Sequence, residues 1–142
     1  MPYLNTYNLF ISHAWIRDNE YDRLEALLKE VSYFQFKNYS VPKDDPLVNK
    51  SGDFLSKKEL RERLYYQIKP THCVLVIAAM YIKHREWIQI EIDIAKEYSK
   101  PIIGIAPQSQ ERIPLEIQDC SKEIVRWNKD SIVTAIKKHS IS

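Results

Sequence analysis

Apolar residues recur at helical spacing from Glu86 onward, in Trp87-Ile88-Gln89-Ile90-Glu91-Ile92-Asp93-Ile94-Ala95. An α-helix advances about 100° per residue. With Trp87 set at zero, Ile94, Tyr98, Ala95, Ile88 and Ile92 fall at about 340°, 20°, 80°, 100° and 140°, and Ile90 at about 300°. Gln89, Asp93 and Lys96 lie opposite, where solvent is expected. Glu91 falls at about 40°, inside the apolar arc. A carboxylate there is costly to hold unless a partner bonds it or a reaction uses it. A purely structural glutamate would be bonded to a core Arg, Lys or Tyr.

The remaining pattern alternates strands and helices. Tyr7–Ser12 is a short apolar run and predicts the first strand. Tyr21, Leu24, Leu27, Leu28 and Val31 recur at helical spacing, with Asp18 or Asn19 before them as a cap. Phe34-Gln35-Phe36-Lys37 alternates and predicts a second, edge strand. Asn38 to Leu47 holds two prolines and two aspartates and reads as a long loop. Ser56 and Glu59 form a capping box for a helix over 57–69, with Leu60, Leu64 and Ile68 as its stripe and Pro70 as its stop. Cys73 to Ala79 lacks polar residues, as does Pro101 to Ala106, apart from glycine. Both predict strands buried on two faces. A short helix over 113–120, a last strand over 123–127 and a closing helix over 128–139 complete the chain.

Alternation of this kind predicts a flavodoxin-like α/β fold in three layers, with a five-stranded parallel sheet in the order 2-1-3-4-5. The 142 residues fit one domain spanning 1–142. Ligands in such a sheet bind at the carboxyl ends of the strands, where the strand order reverses. That point lies between strands one and three. Strand one ends in Ser12-His13-Ala14-Trp15, and strand two leads into Asn38-Tyr39-Ser40. The helix after strand three carries Trp87 and Glu91. Three segments of unusual polar chemistry therefore converge, with Glu91 as candidate catalytic residue and Ser12, His13, Trp15, Asn38, Tyr39, Ser40 and Trp87 as candidate substrate contacts.

Composition narrows the chemistry. A net charge of +2 gives no electrostatic case for nucleic acid or an acidic membrane. No apolar run reaches the roughly 20 residues of a membrane helix. Two cysteines form no disulfide framework, so a reducing, cytoplasmic compartment is expected. His72, His84 and His139 lack metal-ligand spacing, so no metal is expected. Only Gly52 and Gly104 occur, which excludes a glycine-rich phosphate loop. Ser12 has no His and Asp at hydrolase spacing. A phospho-accepting receiver needs an acidic cluster after strand one, where Ser12-His13 stands instead.

Phe10-Ile11-Ser12-His13-Ala14-Trp15, followed by Asn38-Tyr39-Ser40-Val41-Pro42 and Asp45-Pro46-Leu47, resembles the TIR-like domain of the ThsB proteins of the Thoeris anti-phage system. Trp87-Ile88-Gln89-Ile90-Glu91 resembles the Trp-x-x-x-Glu pattern of NAD-cleaving TIR domains, whose glutamate is catalytic. The resemblance runs from about residue 7 to residue 106. It implies cleavage of the nicotinamide–ribose bond of NAD, which is substrate and not resident cofactor. It also implies an ADP-ribose-derived, often cyclic, signal that activates a separate effector. Other TIR-like subunits as partners and a phage-derived trigger are implied in the same way. The basic loop motif that common TIR proteins carry after strand two is replaced here by Val41 to Leu47, so their oligomeric contacts do not transfer. The other reading is a TIR-like interaction or nucleotide-binding module without turnover.

Overall fold

The computed structural model describes residues 6–12, 19–40, 56–106 and 113–140. The elements in chain order are β1 (Tyr7–Ser12), α1 (Asn19–Lys29), β2 (Phe36–Asn38), α2 (Lys57–Ile68), β3 (Cys73–Ile77), α3 (Ala78–Lys83), α4 (Arg85–Glu97), β4 (Ile102–Ala106), α5 (Leu115–Cys120), β5 (Glu123–Arg126) and α6 (Lys129–His139). The strands form a parallel sheet in the order β2-β1-β3-β4-β5. This is the flavodoxin-like arrangement expected. Right-handed crossovers place α1 on one face and α2, α4 and α5 on the other. The packing agrees, for α2 lies against α4 and α6 lies against α1.

Register decides which side chains share a face, because paired residues in a parallel ladder point the same way. Leu9 pairs with Asn38 and with Cys73, so all three belong to the α1 face. Phe10 and Ser12 pair with Val74 and Val76 and belong to the α4 face. β3 and β4 are buried at every position, as their uninterrupted apolar runs predicted.

Local signals place the helices. The Ser56–Glu59 capping box opens α2, with the Glu59 amide donating to Ser56 Oγ at 3.1 Å and the Ser56 amide donating to Glu59 Oε1 at 3.2 Å. The Asn128 side chain caps α6 by accepting from the Ser131 amide at 3.0 Å. Leu60, Leu64 and Ile68 are buried along α2.

Three expectations need correction. β2 starts at Phe36 instead of Phe34. The backbone of Val31 to Phe34 is used in a turn, the Phe34 amide donating to the Val31 carbonyl at 3.2 Å. Phe34 is nonetheless buried, stacked between Tyr7 and Phe36. β3 stops at Ile77, and Ala78 and Ala79, expected at the end of this strand, instead begin the short helix α3. A fully buried apolar run carries no period that separates strand from helix. The buried arc of α4 is also turned. Ile88, Glu91, Ile92, Ile94 and Ala95 are buried, whereas Tyr98 is 37% exposed. Tyr98 lies past the helix end and packs on Tyr65 of α2, with ring centroids 4.6 Å apart. The inward direction on the helical wheel moves from about 30°, the centre of the arc expected from the sequence, to about 70°, with Glu91 still inside it.

Gly104 marks a close approach. A Cβ at this position meets Ile117 Cγ2 and Ser121 Oγ at 2.9 Å and Ile124 Cγ1 at 3.2 Å. Gly104 therefore lets α5 and the start of β5 close onto β4. Gly104→Ala overpacks this seam and is expected to destabilise the fold by about 1–3 kcal/mol in urea unfolding. A neutral effect shows that α5 yields freely.

His72 joins β1 to the entry of β3. Its Nδ1 accepts from the Asn8 amide at 2.9 Å, so the ring is neutral with its proton on Nε2. Burial, and then the nearby Lys100 charge, lower its pKa from the ordinary 6.5. The unfolded chain therefore takes up this proton at higher pH than the folded chain does. The stability contributed is complete above the unfolded value and is lost as pH falls through the folded one. NMR titration is expected to show a midpoint below 6.5 with the Nε2–H tautomer. A midpoint above it contradicts the bond to Asn8.

Candidate functional site at the carboxyl end of β1

Ser12 is the last residue of β1, on the face that α4 covers. Glu91 lies in the middle of α4, among Ile88, Ile92, Ile94 and Ala95. The Ser12 hydroxyl donates a hydrogen bond to Glu91 Oε1. Both residues are 0% exposed, which makes this a polar pair wholly within the core. A hydrogen bond to a carboxylate offsets part of the cost of burying it. One partner of Glu91 is thus a strand-end hydroxyl, and the pair lies beside the switch point, where the order reverses between β1 and β3.

The end of β2 is organised around a second polar cluster. Asn38 belongs to the α1 face by its register with Leu9. Its amide nitrogen donates to Tyr21 Oη at 2.8 Å and to Glu25 Oε2 at 2.6 Å. Its carbonyl oxygen accepts from the Ser40 amide at 2.9 Å. Ser40 is buried, and its Oγ accepts from the Ile11 amide at 2.7 Å. The Tyr39 amide donates to the Leu9 carbonyl at 2.8 Å, extending the ladder past β2. Burial raises the Tyr21 pKa, and the hydrogen bonds from Asn38 and Ser40 oppose that shift.

The structure therefore brings Ser12 directly to Glu91, with Ser40 next to them through Ile11. It turns the Asn38 side chain towards α1. Trp87 is half-buried against the core, one helical turn before Glu91 on the same side of α4. His13 and Trp15, which follow β1 in the chain, lie outside the described residues. Tyr21, expected only as an apolar position of α1, and Glu25, not among the expected site residues, both belong to the Asn38 cluster. Their four-residue separation, which stacks them on one face, is the signal that could have joined them.

Open grooves lie elsewhere among the described residues. One of about 350 Å³ runs between α2 and α4, lined by Tyr65, Tyr66, Tyr98 and Arg61 among others. One of about 570 Å³ follows β5 and α6. Neither is lined by Ser12 or Glu91. Among the described residues no group of three His, Cys, Asp or Glu side chains could hold a metal ion. Among the same residues no helix is long and apolar enough to cross a membrane.

A parallel sheet ordered β2-β1-β3-β4-β5 with helices on both faces defines a flavodoxin-like α/β protein, and here a buried glutamate is bonded to the end of β1. The family model described as Thoeris protein ThsB, TIR-like domain, matches residues 10–112. The chain belongs to that family, which is of the Thoeris defence type. No curated protein sequence matches it. Among solved structures, it is similar to a conserved protein from Enterococcus faecalis V583, with a TM-score of 0.58 at 9% identity, over 94% of this chain and 98% of that one. It is also similar to FerB, a flavoenzyme NAD(P)H:(acceptor) oxidoreductase from Paracoccus denitrificans, with a TM-score of 0.49 at 16% identity, over 97% of this chain and 100% of that one. At these identities the likeness is one of fold.

Proposed function

We propose that this protein cleaves NAD at the nicotinamide–ribose bond, with Glu91 as the catalytic carboxylate. The product is an ADP-ribose-derived nucleotide, cyclic in the preferred reading, that diffuses to a separate effector in anti-phage defence. NAD is the substrate, and no resident cofactor is invoked. The observation that carries this reading is the buried Glu91 held by Ser12 at the carboxyl end of β1, beside the switch point of the sheet. Ser12, His13, Trp15, Tyr39 and Trp87 are the residues assigned to contact ribose, nicotinamide and adenine, whereas Asn38 and Ser40, also expected at the substrate, support the end of β1 instead. Membership of a TIR-like defence family supports the same chemistry. The unit acting is the single domain of residues 1–142, in the cytoplasm, with further TIR-like subunits as partners and a phage-derived trigger.

A specific observation favours a second reading, a TIR-like module that binds partners or nucleotides without turnover. Neither Ser12 nor Glu91 exposes any surface. A ribose reaches the carboxylate only after groups above it move, and a permanently closed pair is a structural one. Incubation of the full chain with NAD, alone and with extract of phage-infected cells, separates the two. Release of free nicotinamide that depends on Glu91 supports the enzyme. NAD left intact under both conditions supports the module.

A further inference from the structure

β1 runs on to Ser12, whereas its neighbour β2 stops at Asn38. In a parallel ladder, amides near the end of β1 take acceptors from the adjoining strand. For Ile11 a side chain fills that place, since Ser40 Oγ accepts from its amide at 2.7 Å between two buried residues. Ser40 is oriented in turn by an Asx turn, its own amide donating to Asn38 Oδ1 at 2.9 Å. Asn38 is anchored on α1 through Tyr21 and Glu25. A continuous set of hydrogen bonds thus runs from α1 to the Phe10–Ile11 peptide near the end of β1. The next residue is Ser12, whose hydroxyl holds Glu91.

We propose that Ser40, oriented by Asn38, is a positioning residue for Glu91 that acts through the end of β1 and not by touching substrate. Its kinetic consequence rests on the reading of Glu91 as the catalytic carboxylate, whereas its effect on the carboxylate itself does not. The hydroxyl clamps the Ile11 amide beyond the last residue of β2. Loosening that amide lets the Ser12 hydroxyl drift relative to α4. Displacements of about 1 Å at supporting residues can cost about a hundredfold in rate.

The test compares the full-length wild type with Ser40→Ala, Ser40→Thr and Glu91→Gln. Under conditions where NAD is cleaved, Ser40→Ala is expected to lower kcat by about ten- to a hundredfold with KM nearly unchanged. Ser40→Thr keeps the hydroxyl and is expected to recover most of the rate. A raised KM with kcat intact makes Ser40 a substrate contact and overturns the proposal. A second readout needs no turnover. NMR of 13C-glutamate-labelled protein follows the Glu91 carboxyl, assigned by its loss in Glu91→Gln. Its titration midpoint is expected to move in Ser40→Ala and to return in Ser40→Thr. An unmoved midpoint overturns the proposal. A moved midpoint in a protein that never cleaves NAD upholds the positioning role and sinks the enzymatic reading. If Ser40→Ala does not fold, Asn38→Ala removes the orienting turn and serves for the same comparison.

Discussion

Glu91→Gln is expected to abolish NAD turnover, by about 10²–10³-fold or more, while leaving the fold intact. Breaking the bond from nicotinamide nitrogen to ribose sends the electron pair to the ring, which leaves neutral. The ribose is left as an oxocarbenium-like cation, as in glycoside cleavage. The leaving group needs no proton, so a single carboxylate suffices where most glycosidases need two. Glutamine keeps the size of the side chain and an oxygen for the Ser12 hydroxyl, but it carries no negative charge to set against the cation. In a site from which water is excluded that charge is worth far more than in water. The measurement is nicotinamide release by chromatography, with thermal unfolding and circular dichroism of both proteins as the folding control. The loss is expected in kcat, because the cation exists only near the transition state. Turnover at the wild-type rate removes Glu91 from the mechanism.

Glu91 was legible in the sequence because a helix has a strict period. One carboxylate in an apolar arc stands out even when the arc is placed about 40° from its true direction. The strand order was legible because βα units alternate without interruption and right-handed crossovers leave few topologies. The partner of Glu91 was not. Ser12 ends an apolar run, and only the register of β1 against β3 puts its hydroxyl on the α4 face. The same logic explains Asn38. Grouping residues by strand end placed it with Ser12, yet its register with Leu9 turns its side chain to α1. Period-two alternation separates the faces of a strand but does not say which face meets which helix. Ala78 and Ala79 were not legible for another reason, since a buried helix start and a buried strand end are equally apolar.

Phe10→Ala is expected to be the most destabilising single truncation near the site, by about 3–5 kcal/mol. Phe10 is 0% exposed in β1, two residues before Ser12 and on the same face of the sheet. Its ring is flanked along the strand pairing by Val74, and α4 covers this side of β1. Truncation removes the transfer free energy of the ring and leaves a cavity that rigid neighbours on β3 fill only in part. Total stabilities of domains this size are about 5–15 kcal/mol, so the loss is a large share of the whole. Urea unfolding measures it, with Tyr66→Ala as comparison. Tyr66 is 72% exposed on α2 and is expected to change stability by about 0.5 kcal/mol or less. The two sites also differ in what they do to Glu91. A void beside Phe10 opens under the helix that carries the carboxylate, so the surviving folded protein is expected to lose activity as well as stability. A Phe10→Ala protein that unfolds easily yet cleaves NAD at the wild-type rate shows that Ser12 fixes Glu91 without help from the packing beneath it. A small stability change for Phe10→Ala, comparable to that at Tyr66, shows instead that α4 settles into the void and that the β1–α4 contact is not rigid.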